Sequence, residues 1–355
     1  MLKNLIKLWL IAASTAIAAT DSYKFGYFDE APGETSPKNE TLRDWLRLGQ
    51  RLGNTASMAL NQLKTVNPKS SDEELRAMDF LITRAGLEST RHLARRYEDL
   101  GGRIVISDRW TREDLKLEKA AVISVALPNE KRVAPLLGWL GQGVTAASPK
   151  RGAYIARNDS DYDKIWFYEL SKHELAKDWQ WQEISLDPRT AKNVDFATHT
   201  FAANLLLVNR ASPEILAALA ASKLPNRVVM VSDPHDENDA AHLENYFKKN
   251  VFTHYLSTFP NTLTDEARDF AKQHKGMGAR DAQLRDALVL VSKALAKANL
   301  RVDTPNRLFS ALDGTSINGV TGKIKVERGS LQREVFVITQ RGDERTLAWR
   351  SGLVK

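Results

Sequence analysis

Three stretches, AAVISVAL (120–127), NLLLV (204–208) and RVVMVS (227–232), are apolar at consecutive positions instead of at alternate ones. A strand with one wet face alternates, so continuous runs of this length predict strands buried on both faces, as in parallel sheets sandwiched between helices. The segments between them have helical spacing. ETLRDWLRLGQRLGNTASMALNQL places Leu42, Trp45, Leu46, Leu48 and Leu52 on one stripe, which Met58 and Leu60 continue. AQLRDALVLVSKALAKA places Leu284, Leu288, Val291, Leu295 and Ala298 on another. Further strands are expected at YKFGYF (23–28), MDFLIT, RIVIS, VTAAS (144–148) and VFTHYLSTF, with helices at LESTRHLARRYEDLGG, 162–177 and 237–249. The Gly101-Gly102 pair marks a helix end, and Ser212-Pro213-Glu214 a helix start. Strand–helix alternation of this kind predicts open parallel sheets, with right-handed crossovers bringing the βα turns to one edge of each.

At 355 residues the chain has room for two such units. Its 43% apolar and 27% charged content is that of a globular protein, and no repeat or low-complexity tract interrupts it. The formal charge is +7, to which Lys3 and Lys7 contribute two, and the remaining Lys and Arg are dispersed among Asp and Glu. No basic stripe interleaved with aromatics is present, so nucleic acid is not expected as a partner. MLKNLIKLWLIAASTAIAAT has a basic start, a short apolar run and small residues at Ala16-Ile17-Ala18. This is the pattern of a cleaved secretory signal covering residues 1–18, cut after Ala18 or Ala19. With no later span apolar enough to cross a membrane and no cysteine, a periplasmic location is expected for the mature chain, without membrane insertion.

In sheets of this type ligands lie beyond the carboxyl ends of the strands. The loops that follow the apolar runs therefore supply the candidates: Asn129, the Ser148-Pro149-Lys150-Arg151 stretch, Asn209-Arg210, and Asp233-Pro234-His235. Capping and turn roles explain each of these residues as well. In DPHDENDAAH, His235, Asp236, Asp239 and His242 offer nitrogen and oxygen ligands, but the spacing fits no zinc signature and equally suits a solvated helix start. There is no cysteine nucleophile, G-x-S-x-G elbow, phosphate-binding glycine loop or H-E-x-x-H, so neither an enzyme nor a cofactor is expected.

RDALVLVSKALAKANLRVDTPNRLFSALDGTSINGVTGKIKVERGSLQREVFVITQ (285–340) resembles the closing segment of type 1 periplasmic substrate-binding proteins. These form the leucine/isoleucine/valine-binding family of ABC transporters. AAVISVALPNEKRVAPLLGWLGQGVTAASP and YIARNDSDYDK resemble further units of that family, as does NLLLVNRASPEILAALAASKLPNRVVMVSD. The resemblance implies two hinged Rossmann-like lobes with parallel sheets flanked by helices. The N-terminal lobe would comprise 19–157 plus 255–333, and the C-terminal lobe 158–254 plus 334–355. Carried over by position, the family's ligand loops fall on Asn129 and Ser148 in the first lobe. In the second they fall on Asn209 and Asp233, the last matching an acid that holds the ammonium of amino-acid ligands. The family's Ser/Thr loop is replaced here by Lys150-Arg151-Gly152, which suits a carboxylate or other anion. The resemblance thus implies capture of a small anionic or zwitterionic molecule in an interlobe cleft for an inner-membrane ABC permease. A homologue serving as a sensor or scaffold for another periplasmic protein is the alternative.

Overall fold

The structure is a computed structural model. It describes residues 23–53 apart from 31, 34 and 35, and residues 62–143 apart from 128. It continues with 150–196 apart from 160 and 188, then 203–208, 213–222 and 227–230, and closes with 254–298 apart from 261 and 305–354. The expected signal segment 1–18, strand 144–148 and helix 237–249 lie outside these residues. The chain forms two compact units. One runs up to Ser124 and includes Ala287–Thr315; the other comprises Val125–Asp286 and Ser316–Lys355. The chain therefore passes from one unit to the other three times.

The first unit contains β1 (Lys24–Asp29), β2 (Gln62–Thr65), β3 (Phe80–Arg84), β4 (Ile104–Ser107) and β5 (Ala121–Ser124), in the order β2-β1-β3-β4-β5. Every pairing is parallel. Ile104, Val105, Ile106 and Ser107 of β4 are all buried, which explains the unbroken apolar reading of this strand. Helix α1 (Asn39–Leu52) buries Leu42, Trp45, Leu46 and Gly49, the i, i+3, i+4, i+7 stripe of an amphipathic helix. The short helix α2 (Asp72–Arg76) starts in a capping box between Ser71 and Glu74, and α4 (Arg112–Leu115), after β4, in one between Thr111 and Asp114. Helix α3 (Leu87–Asp99) ends on Gly101 at φ +93°, with Gly102 N–H donating to Tyr97 O (2.8 Å) and Gly101 N–H to Glu98 O (2.9 Å). Those two bonds are the Schellman pair, so the double glycine is the helix stop expected from the sequence.

The second unit is built on β6 (Arg151–Arg157), β7 (Gln180–Leu186), β8 (Leu205–Val208), β9 (Arg227–Met230) and β10 (His254–Ser257), all parallel. The antiparallel strands β14 (Phe336–Arg341) and β15 (Glu344–Arg350) extend it, giving the order β15-β14-β10-β9-β8-β6-β7. Both faces are covered. Ala153, Ile155, Leu206, Val208, Phe336 and Ile338 belong to one core, and Tyr154, Ala156, Leu205, Leu207, Val335 and Val337 to the other. Successive residues feed opposite cores, which is the physical reason NLLLV reads as a continuous run. Helices α5 (Val133–Gly143), α6 (Asp161–Lys172), α7 (Pro213–Ala221) and α8 (Asp265–Gln273) connect the strands. A separate three-stranded antiparallel sheet, β11 (Ser316–Gly319), β12 (Gly322–Glu327) and β13 (Ser330–Arg333), also belongs to this unit.

The parallel-sheet architecture matches the expectation, whereas the points of passage differ from it. Residues 151–157 and 255–257 pair within the seven-stranded sheet, whereas the resemblance implies the N-terminal lobe for them. The divisions fall after Ser124, Asp286 and Thr315 instead of at 157, 254 and 333. Strand β2 arises at the end of a stretch expected to be helical, and β7 takes the WQWQEISL segment that follows the helix near 162–177. β7 (QWQEISL) exposes Gln180, Gln182, Glu183 and Ser185 as a polar sheet edge, and β2 (QLKT) buries only Leu63. Short edge strands carry too little apolar periodicity to be seen in a sequence.

Candidate functional site

Each large sheet has a strand order that reverses next to its first strand: between β1 and β3 in the first unit, and between β6 and β8 in the second. Ligands of open α/β sheets settle beyond the carboxyl ends at such reversals. At the first reversal the chain leaves β1 at Asp29-Glu30 and β3 at Arg84. The Arg84 guanidinium donates to Asp29 Oδ2 (3.1 Å) and Ser36 Oγ (3.1 Å), and the Tyr27 hydroxyl lies 3.1 Å from the same Asp29 oxygen. The Arg84 and Asp29 side chains are only 15% and 5% exposed, so the pair is largely shielded from solvent and salt.

Beside it, Glu30 reaches across to the start of α3. Its carboxylate accepts the Gly86 N–H (2.9 Å) and the Ser89 hydroxyl. Gly86, the N-cap residue, has no side chain of its own to do this, so a carboxylate from another strand end occupies the electropositive helix start. Next along the edge, Ser107 Oγ accepts the Trp110 N–H (2.9 Å), and the Trp110 indole N–H donates to Ala85 O (2.9 Å). The Arg109 guanidinium lies 4.5 Å from the centre of the Trp110 ring. An aromatic plate and a cation thus stand at the ends of β3 and β4.

At the reversal of the second sheet, β6 ends on Arg157, which forms a two-pronged pair with Asp159 (3.0 and 2.9 Å). The Asp159 hydrogen bond is the main cause that raises the Arg157 pKa and lowers that of Asp159. Fully buried Asp163, in the first turn of α6, accepts the Arg157 backbone N–H (2.9 Å). After β7, Arg189 pairs with Asp187 (3.1 Å) and holds its carboxyl below the usual range. Both reversals therefore carry a guanidinium matched to a carboxylate of the same unit.

The sequence-derived candidates stand in several places. Asn129 opens a single 3₁₀ turn, Asn129–Arg132, downstream of β5. Ser148, Asn209 and Asp233 lie outside the described residues, as do the metal candidates His235, Asp239 and His242. In the sequence Asn209 directly follows Val208, the last residue of β8, and Asp233 follows β9 by three residues. Lys150 and Arg151 do not close a strand: Arg151 opens β6, at the amino edge of the seven-stranded sheet. There the Lys150 ammonium lies 3.5 Å from Asp178, and the Arg151 N–H donates to Asn204 Oδ1 (3.2 Å). Placing a strand end before them put these two residues at the wrong edge. Conversely, Asp29, Glu30 and Arg84 were open to detection, since each directly ends or follows a mostly apolar strand. Among the described residues no group of three or more His, Cys, Asp or Glu could hold a metal ion, and no helix is long and apolar enough to cross a membrane.

No protein-family model matches the chain, and no curated protein matches it in sequence. Solved structures do match. A branched-chain amino acid ABC transporter periplasmic ligand-binding protein from Burkholderia xenovorans superposes with a TM-score of 0.68 at 12% identity, covering 94% of this chain and 96% of its own. A solute-binding protein of an ABC transporter from R. palustris, in complex with benzoate, gives 0.59 at 13% identity over 94% and 97%. A leucine-binding protein from Thermotoga maritima gives 0.56 at 12% identity over 94% and 99%. The likeness extends over nearly the whole length of both partners and establishes the fold as that of the type 1 periplasmic binding proteins.

Proposed function

We propose that this chain is an exported solute-binding protein that captures a small anionic or zwitterionic organic molecule and delivers it to an inner-membrane ABC permease. The observation that carries the proposal is the near end-to-end structural likeness to solute-binding proteins of ABC transporters, one of them in complex with benzoate. The signal-like pattern at residues 1–18 agrees with export. The work we assign to the site is recognition by hydrogen bonds and charge. Arg84, Arg109 and Trp110 in the first unit and Arg157, Asn209 and Asp233 in the second are the side chains we assign to ligand contact, with Asn129 and Ser148 as further contacts.

Thermal denaturation in the presence of amino acids, benzoate-type aromatic acids and short dicarboxylates tests this. A ligand at a hundred times its dissociation constant stabilises the folded state by about 2.7 kcal/mol. At least one member of the panel is therefore expected to raise the Tm by several degrees, and Arg84→Ala or Asp233→Ala should abolish the shift. If no carboxylate or zwitterion shifts the Tm, the proposal fails.

A second reading has one observation in its favour. The charges at both reversals are already paired within the protein, Asp29 with Arg84 and Asp159 with Arg157, and the α3 start is filled by Glu30. A binding-protein homologue that serves as a sensor or scaffold subunit has no need of an open charged seat. Flat denaturation curves across the panel, together with capture of a periplasmic protein by the purified chain, would favour that reading.

A further inference from the structure

A set of buried polar groups stands where the chain enters and leaves the second unit. Arg333, at the end of β13, is fully buried. Its guanidinium donates to Val125 O, Thr258 O (2.5 Å) and Thr321 O (3.0 Å). Thr321 is buried in the turn between β11 and β12. Its N–H and hydroxyl both donate to Asp286 Oδ2 at 2.7 Å, and the neighbouring Val320 N–H donates to Asp286 Oδ1 (3.1 Å). Asp286 is fully buried on α9 (Ala279–Ala298) and also accepts from Arg285 (2.7 Å). One turn earlier on the same helix, the Gln283 side-chain amide donates to Thr258 Oγ1 (3.0 Å).

These bonds close a ring: α9 to Thr258, Thr258 to Arg333, Arg333 to Thr321, and Thr321 back to α9 through Asp286. Val125 hangs on the ring through Arg333. The members are also the points of passage. Val125 is the first residue of the second unit after the first passage, Asp286 is the last before the second, and the Ser316–Gly322 hairpin follows the third. The turn glycines serve the ring directly. A Cβ on Gly319 would stand 2.3 Å from Asp286 Oδ2, and Gly322 adopts φ +91°.

We infer that Arg333, Thr321 and Asp286 form a bolt that couples the three passages of the chain, so that they loosen together instead of singly. Burial makes the coupling strong. A buried charge left without its partners is costly, so no member of the ring gives way alone.

Backbone amide exchange on the intact chain, compared between wild type, Asp286→Asn and Thr321→Val, tests the bolt. Both substitutions keep side-chain volume and weaken the Thr321–Asp286 link of the ring, Thr321→Val by one hydrogen bond and Asp286→Asn by more than one. The expected result is at least a tenfold faster exchange at 316–322 and also at 121–127 and 254–260, segments with which neither side chain forms a hydrogen bond. The double variant should exchange no faster than the more affected single one, the non-additivity that marks a shared unit. Arg333→Lys, which keeps a charge but cannot reach three carbonyls at once, should loosen the same three segments. Faster exchange confined to 316–322 in both single variants, with additive effects in the double, overturns the inference.

Discussion

At the scale of the residue, carboxylates on backbone N–H groups recur in the first unit. Glu98 on α3 accepts from Lys119 N–H and Ala120 N–H, each at 2.6 Å, and from Glu118 N–H at 3.3 Å, pinning the turn before β5. Partial burial is the largest single influence on this carboxyl and opposes its ionisation. The three N–H donors together outweigh it and hold the pKa below its ordinary 4.5. A folded pKa below the unfolded one means that stability is fully present above about pH 4.5 and is lost as pH falls through the folded value. Urea titrations of wild type and Glu98→Gln should therefore converge on acidification below pH 4.5, and curves that stay parallel would exclude this role. Glu30 belongs to the same class. Removing it in Glu30→Ala takes the cap from α3, and a loss of about 1 kcal/mol is expected in chemical denaturation. Tyr97 shows the converse effect: burial pushes its phenol up, and its hydroxyl stays a donor to Asp79 O (3.0 Å).

At the scale of the element, legibility followed burial. The mostly apolar strands were readable: β4, β5, β8 and β10 fall within the runs singled out from the sequence, as does β3 up to its last residue. α3 was readable to its last turn because Gly101 has a mechanical task there. β6 was missed as a strand because RGAYIAR begins with a charge and a glycine, and its neighbour β7 because its outer positions are polar. That error carried into the site. With β6 unseen, Lys150 and Arg151 were assigned to a strand end, while Arg157 at the true end went unnoticed. No sequence signal could have shown that Arg333 and Asp286 meet at Thr321, because that ring is assembled from four distant segments. The two-core architecture makes a direct prediction. Leu206 in β8 is fully buried in one of the cores, and Leu206→Ala should cost about 2–5 kcal/mol by transfer and cavity formation. A loss below 1 kcal/mol in urea unfolding would mean that this core is not packed as described.

At the scale of the whole molecule, one plan is used twice. The order β2-β1-β3-β4-β5 of the first sheet returns in the second as β7-β6-β8-β9-β10, with β14 and β15 added beyond. The three-stranded sheet delivers the chain to this added pair. The pair has a consequence for how the protein behaves in a crowded solution. Without the pair, β10 would border the sheet, and Tyr255, Leu256 and Ser257, all buried, would sit in a row ready to pair with another copy. β15 instead presents Glu344, Thr346 and Arg350 outward on a border strand. Charges at such a border discourage fibrous self-association. Replacing Glu344 and Thr346 together by valine leaves both cores untouched, so the Tm should change little. Light scattering at high protein concentration should nevertheless rise over hours, and a clear solution would show that β15 is not what keeps these molecules apart.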